Sequence, residues 1–228
     1  MFPHPQYAED DGLLAFGGDL SPERIVFAYS LGIFPWFNEP PILWWSPNPR
    51  FVLFPEKLRV SDSMKKAIKK NYFQISFDTD FKGVIKGCRE NRADEAGTWI
   101  SNDIIIAYTK LFELGIAHSV EVRENGRLVG GLYGLLIGTV FYGESMFHRT
   151  TNASKAGFIE LVQKLKNAGC KLIDCQVYTK HLESLGAENL DRESFMQILS
   201  EENTNTLKPL FEKQFSLKNS PDKLAEKE

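Results

Sequence analysis

HSVEVRENGRLVGGLY, residues 118–133, reads as a β-hairpin. Two apolar-patterned runs, 118–123 and 127–133, flank Asn125-Gly126. A tight type I′ turn needs positive φ at both central positions, and Asn-Gly adopts that most readily. Working outward, further strands are expected at 72–78, 139–143 and 171–178. Helices are expected at 61–70, 80–90, 101–114, 152–168 and 191–200. A hairpin-centred sheet interrupted by helices belongs to the α+β class, with a mixed sheet covered by helices.

The first 57 residues have a different texture. Ser21-Pro22-Glu23 opens a helix, with Ser at the N-cap and Pro at the first helical position. Ile25, Val26, Ala28, Tyr29 and Leu31 supply its apolar face, and Gly32 ends it. The stretch GIFPWFNEPPILWWSPNPRFVLFP (32–55) follows. Its prolines deny backbone donors and fix φ, so a rigid, aromatic-lined irregular segment is expected there, with no regular helix or central strand. No internal repeat is apparent, and the Lys-rich stretch from 206 to 228 reads as a polar tail.

Composition narrows the class. The chain has 228 residues, 43% of them hydrophobic and 25% charged, which argues against wholesale disorder. The formal net charge is −3, so a nucleic-acid partner would need a local basic patch. Three cysteines without CxxC or His/Cys spacing give no zinc site and fit a reducing compartment. The start, MFPHPQYAEDDG, shows no basic segment followed by an apolar run, and no apolar run reaches the ~20 residues of a membrane helix. The expected location is the cytoplasm, with no membrane partner.

Five constellations have the residue types that carry chemistry. In KLIDCQV (171–177), strand alternation places Leu172, Asp174 and Gln176 on one face. A carboxylate and an amide inside an apolar strand need partners, and serve either as a structural hydrogen-bond pair or as a catalytic pair at a pocket floor. In FYGESMFHR (141–149), Glu144 needs a cation to stay ionised cheaply, from His148, from Arg149 or from a substrate. In the helix after Asn152, Phe158, Leu161, Val162 and Leu165 form an i, i+3, i+4, i+7 stripe, which is either core or a pocket wall. Lys65, Lys66, Lys69 and Lys70 form one basic helix face, either solvated or meeting phosphates. Trp36, Trp44, Trp45 and Trp99 are core residues or base-stacking platforms.

Taken in order, GLLAFGGDLSPE (12–23), GIFPWF (32–37), PILWWSPNPR (41–50), GTWIS (97–101), GESMF (143–147), NASK (152–155), LIDCQV (172–177) and SLGAE (184–188) resemble the leucyl/phenylalanyl-tRNA–protein transferase family. The resemblance spans roughly residues 10–200. It implies a small N-terminal α/β domain (1–57), a GNAT-like mixed-sheet catalytic domain (58–205) and a tail (206–228). It implies transfer of Leu or Phe from Leu-tRNA or Phe-tRNA to proteins with N-terminal Arg or Lys, marking them for proteolysis by the N-end rule. It implies no acetyl-CoA and no metal.

Residue by residue, Asp174 and Gln176 match the family's catalytic pair, and Glu144 its carboxylate near the peptide acceptor. Trp36 and Trp99 match the positions that hold the terminal adenosine. Leu132, Met146, Phe158, Leu161, Leu165 and Ile173 match the aminoacyl pocket. Lys65, Lys66, Lys69 and Lys70 match a cluster that receives the tRNA acceptor stem. Leu132 stands where relatives often carry Met, and Phe158 and Leu161 exchange the usual bulk at their positions, so the Leu-versus-Phe preference is open.

Two rival classes are weighed. A GNAT-type N-acetyltransferase wants a Q/R-x-x-G-x-G/A turn before a helix. The nearest match, Arg127 to Leu132, lacks the last small residue and lies in the hairpin. A non-catalytic tRNA-binding module has no need of the Asp174/Gln176 pair.

Overall fold

The computed structural model describes residues 1–70, 72–96 and 98–206, without the side chains of 92–96 and 202–206. The expected tail lies outside the described residues, save for Thr206.

The N-terminal part forms a small antiparallel sheet beside one helix. Its elements are β1 (Leu13–Phe16), α1 (Pro22–Ser30), β2 (Phe34–Pro35) and β3 (Leu43–Trp45), with sheet order β1-β3-β2. Ser21 is the N-cap of α1 and Pro22 opens it, as expected. Gly32, at φ +72°, turns the chain away beyond its end. The ring of Phe195 lies where a side chain at Gly32 would stand.

The rest is a seven-stranded mixed sheet with helices on both faces. In chain order it contains β4 (Arg50–Leu53), α2 (Asp62–Lys69), β5 (Gln74–Phe77), α3 (Phe81–Ala96), α4 (Asn102–Glu113), β6 (Ala117–Glu124), β7 (Arg127–Ile137) and β8 (Val140–His148). Then come α5 (Ala153–Asn167), β9 (Leu172–Gln176), α6 (Lys180–Ser184), β10 (Glu188–Leu190) and α7 (Arg192–Thr206). The strand order is β10-β4-β9-β8-β7-β6-β5, with β8/β9 parallel and the other pairs antiparallel. This is the α+β class, a mixed sheet covered by helices. The β6–β7 hairpin turns at Asn125 and Gly126, with φ of +50° and +76°.

The expectation for residues 32–55 fails at two places. β3 is the middle strand of the small sheet, and Arg50–Leu53 is an interior strand between β10 and β9, buried at all four positions. Pro47, Pro49 and Pro55 flank it and none falls within it, so no ladder donor is lost. The three residues of β10 are too few for a period to show in sequence.

Two apolar layers result. On one face, Tyr29, Ile33, Trp44, Phe81, Tyr108, Leu135, Leu172 and Phe195 pack together beneath α1, α3, α4 and α7. On the other, Phe51, Leu132, Phe158, Leu161, Leu165 and Ile173 pack with Met64 and Ile68 of α2 and with α5. Gly157 lets α5 close on β6, because a Cβ there would come within 2.7 Å of Val122.

The parallel pairing of β8 with β9 is short. It covers Val140–Tyr142 against Leu172–Asp174, while Gly143–His148 pair only with β7. The sheet therefore splays just past Tyr142 and Asp174. No described helix is long and apolar enough to cross a membrane.

Candidate active site

Both strands carry an irregularity at the splay. Across β7/β8, Tyr133 faces Ser145 and Gly134 faces Gly143, so Glu144 is an extra residue on β8. A bulge of this kind re-aims one side chain. It requires Gly134, where a Cβ would collide with the carbonyl oxygen of Tyr142. Across β4/β9, Val52 faces Asp174 and Phe51 faces Gln176, so Cys175 is the extra residue. Simple alternation therefore does not run through to Gln176. What joins the pair is a local bond: the Gln176 amide N–H donates to Asp174 Oδ1 at 2.9 Å. Gln176 has φ +64°, a left-handed conformation that costs a non-glycine residue about 1–2 kcal/mol.

Glu144 is 7% exposed and accepts three hydrogen bonds. Tyr29 donates to Oε1 at 2.6 Å, Tyr108 to Oε2 at 3.1 Å, and the Gln176 side-chain amide to Oε1 at 3.1 Å. The two tyrosine hydroxyls are also 2.8 Å apart. Burial pushes the Glu144 carboxyl up to about 7, opposed by the bonds from Tyr29, Tyr108 and Gln176 and reinforced by Asp174. Burial, then the neighbouring Glu144, holds both tyrosines well above their ordinary range, so they remain donors. The cation expected from His148 or Arg149 is not supplied by either. Arg149 pairs with Glu90 at 2.7 Å and His148 is exposed. Neutral donors solvate Glu144 instead.

Asp174 is fully buried and gripped by Arg50, whose Nε and Nη2 donate to Oδ1 and Oδ2 at 2.8 and 2.7 Å. The pair is 1% and 0% exposed. Bidentate geometry of this kind is the strong form of a carboxylate–guanidinium bond. Asp174 thus acts on the Gln176 backbone, while Glu144 orients the Gln176 side chain. With its NH2 turned to Glu144, the Gln176 Oε1 is the amide atom that faces away. Burial and then Asp174 hold the Cys175 thiol well above its ordinary range, which disfavours the thiolate.

The six apolar residues expected to line a pocket lie in one cluster on the α5 face. Leu132, Phe158, Leu161, Leu165 and Ile173 are buried, and Met146 is partly exposed. Glu144, Tyr29 and Tyr108 belong to the opposite side, with Tyr29 and Tyr108 in the other layer. Met146 on β8 and Gln176 on β9 both lie past the parallel pairing of the two strands.

The outlying residues divide. Lys65, Lys66, Lys69 and Lys70 lie on α2 and its C-terminal cap, whose inward Met64 and Ile68 pack on the same apolar cluster; Lys65, Lys66, Lys69 and Lys70 are all exposed. Lys65 pairs with Asp62 at 3.2 Å. Trp36 is 44% exposed and lies against Trp45, with ring centroids 5.7 Å apart. Trp99 is buried in the core with Tyr108 and Ile100, so it offers a base far less surface than Trp36.

Tyr29, Tyr108 and Arg50 join the site without any role that the sequence assigns them. Tyr29 passes in sequence for a member of an apolar helix face, and Tyr108 is not singled out at all. Arg50 carries the one usable signal, a lone charge opening the run RFVL. Among the described residues, no His/Cys/Asp/Glu group has the makings of a metal site.

Two family models match this chain. Residues 52–200 match the leucyl/phenylalanyl-tRNA protein transferase model, and residues 18–48 match the model of that family's N-terminal domain. The gap between them, residues 49–51, takes in the start of β4. Three relatives carry the name leucyl/phenylalanyl-tRNA–protein transferase. The one from Nitrosospira multiformis is 53% identical over 204 residues, 88% of either chain. That from Pseudomonas putida (strain W619) is 56% identical over 202 residues, 87% of this chain and 89% of the relative. That from Shewanella baltica is 53% identical over 211 residues, 91% and 89% respectively. With matches of this extent, the chain belongs to the leucyl/phenylalanyl-tRNA–protein transferase family.

Proposed function

We propose that the splayed ends of β8 and β9 carry the transfer of leucine or phenylalanine from charged tRNA to the N-terminal amine of proteins beginning with Arg or Lys. The observation that supports this most directly is the Gln176 side chain, aimed by Glu144 from the end of β9, a strand whose Ile173 and Cys175 belong to the apolar cluster.

The reaction is aminolysis of an ester. The acceptor amine attacks the aminoacyl carbonyl, a C–N bond forms, the bond to the ribose oxygen breaks, and the proton lost by the amine ends on the ribose hydroxyl. The ester is already activated, so no nucleotide or acetyl-CoA is required. An α-amine has a pKa of about 7.7–8.0, so a reactive neutral fraction exists near neutral pH. Holding amine and carbonyl together supplies most of the acceleration, up to roughly 7–11 kcal/mol in favourable cases.

In this reading Gln176 Oε1 accepts an N–H of the amine and points its lone pair at the carbonyl. Its amide is too weak a base to take the proton, which passes to the leaving hydroxyl directly or through the neighbouring ribose hydroxyl. Asp174 holds the Gln176 backbone and favours the positive charge that develops on nitrogen. Glu144 has about four lone-pair sites and three are used, so the last, on Oε2, is offered to the acceptor's cationic end.

Leu132, Met146, Phe158, Leu161, Leu165 and Ile173 receive the esterified side chain, whose burial is worth about 1.5–3 kcal/mol. Trp36 is the proposed stacking face for the terminal adenosine, and Trp99 is the second residue proposed to hold it. Lys65, Lys66, Lys69 and Lys70 meet acceptor-stem phosphates. The division proposed is an N-terminal unit over 1–57, a catalytic unit over 58–205 that recruits β4, and a tail from 206. The proposed location is the cytoplasm, where charged tRNA is made.

The test is direct. Protein is mixed with Leu-tRNA labelled in the amino acid and with peptides starting with Arg or Ala. Label is expected in the Arg peptide alone. Label in neither, with tRNA still bound, would leave only a tRNA-binding module.

A further inference from the structure

Arg50 lies at the centre of a set of interactions that no role assigned so far uses. Its Nε and Nη2 hold the two oxygens of Asp174, and its Nη1 donates to the Gly32 carbonyl at 3.1 Å. Its guanidinium carbon sits 4.7 Å from the Phe34 ring centroid and 4.8 Å from that of Phe195. All three guanidinium nitrogens are engaged and two rings flank the group, at a residue only 1% exposed. These partners come from four places: the turn after α1, β2, β9 and α7.

We infer that Arg50 is a positioning residue for the transfer reaction: through Asp174 it holds Gln176 in the left-handed backbone conformation from which its side chain reaches Glu144. This rests on the proposed role of Gln176. The chain of interactions is continuous. Arg50 fixes the Asp174 carboxylate, Asp174 Oδ1 fixes the Gln176 N–H, and the Gln176 amide meets Glu144. Gln176 is the last residue of β9, beyond the parallel pairing with β8. Its conformation is one that a non-glycine side chain leaves readily unless something holds it. A carboxylate free to rotate would not hold it.

Lysine is no substitute in this position. It offers a point charge with no fork and no planar faces, so it can neutralise Asp174 without setting the plane of its carboxylate. The geometry also gives α7 a share in the site. Phe195 closes one side of the guanidinium, so the last described helix braces the Asp174 grip from outside the Gln176–Glu144 bond.

A double-mutant cycle tests this. The variants are Arg50→Lys, Gln176→Ala and both together, checked for folding by circular dichroism. The readout is the kcat and KM of leucine transfer from Leu-tRNA to an Arg-starting peptide. Arg50→Lys is expected to lower kcat about 100-fold, the scale of a small misplacement at a reacting centre, with KM for both substrates within about twofold. In the Gln176→Ala background, the same change is expected to alter kcat by less than about twofold.

A full additional loss there, or an unchanged kcat in Arg50→Lys alone, would overturn the inference. Gln176→Ala with normal kcat would instead overturn the assignment of Gln176, a distinguishable failure. Should Arg50→Lys not fold, Phe195→Leu takes its place in the cycle. It removes one stacked ring and leaves the ion pair, and it is held to the same criterion of a kcat loss that vanishes without Gln176.

Discussion

Gln176 donates its side-chain amide to Glu144 across 3.1 Å, from the left-handed end of β9 to the bulge of β8. This bond bridges two strands that have already ceased to pair. Replacing Gln176 with Glu sets a second carboxylate against the first and removes the donor. Turnover is expected to fall at neutral pH. The loss should be smaller at about pH 6 than at about pH 8, because two close carboxyls share a proton more readily as pH falls. Transfer rates measured across that range check it, and a rate equal to the wild type throughout would make the bond merely structural.

Glu144→Gln should change how stability depends on pH. Burial raises the Glu144 carboxyl from 4.5 to about 7 in the folded chain. Between those values the folded state holds a proton that the unfolded state has lost. Stability from this group therefore declines as pH rises from about 4.5 to about 7 and stays at its lower level above. Gln carries no such charge, so the variant should lack this decline and gain on the wild type above neutral pH. Denaturant unfolding at a series of pH values reads the difference. Activity toward Arg-starting peptides should fall in the same variant, through a raised KM.

Phe158→Ala tests the apolar cluster. Phe158 is 3% exposed, so truncation should cost about 3–5 kcal/mol of stability as well as lower kcat/KM with both Leu-tRNA and Phe-tRNA. Phe158→Leu keeps more of the packing and should separate the two effects. Unfolding curves and transfer assays with both charged tRNAs would show it, and an unchanged kcat/KM in a destabilised variant would remove Phe158 from the substrate pocket.

The four lysines of α2 and its cap should affect tRNA affinity without affecting the fold. All are exposed, while Met64 and Ile68 hold the helix down. Changing Lys65, Lys66, Lys69 and Lys70 to Ala should leave the melting temperature nearly unchanged. The slope of log K against log salt should flatten by roughly 0.7–0.9 for each phosphate that is no longer neutralised. Filter binding at several salt concentrations measures that slope.

Gly134→Ala should damage the site from a distance. A methyl group there meets the Tyr142 carbonyl, so the β7/β8 bulge must open. The cost of such overpacking is about 1–3 kcal/mol. Glu144, the bulged residue, should lose its aim, and turnover should fall more than stability alone explains.

Much of the scaffold is legible in the residues. Asn125-Gly126 locates the hairpin, the Ser21-Pro22 pair locates α1, and the i, i+3, i+4, i+7 stripe locates α5. The order of motifs points to the family. The site is legible as a set of residues and not as an arrangement. Strand alternation groups Asp174 with Gln176, and the Cys175 bulge interrupts that alternation. Near neighbours in sequence offer Glu144 a cation, whereas two tyrosines far along the chain solvate it. The proline-rich segment conceals β4, because proline density over the whole stretch masks the four residues between Pro49 and Phe54.

Sequence alone determined what depends on neighbours along the chain: turn geometry, helix faces, the basic edge of α2 and the ordered motifs that carry family membership. Tertiary structure alone decided which side chains meet. Arg50 and Asp174 are 124 residues apart, and Tyr29 and Glu144 are 115 apart. Pairings over such distances leave no periodic trace, since they depend on strand order, on two one-residue bulges and on where the sheet splays. The physical cause is the same in each case: a buried charge takes its partners from whatever the fold brings within about 3 Å, wherever those partners sit along the chain.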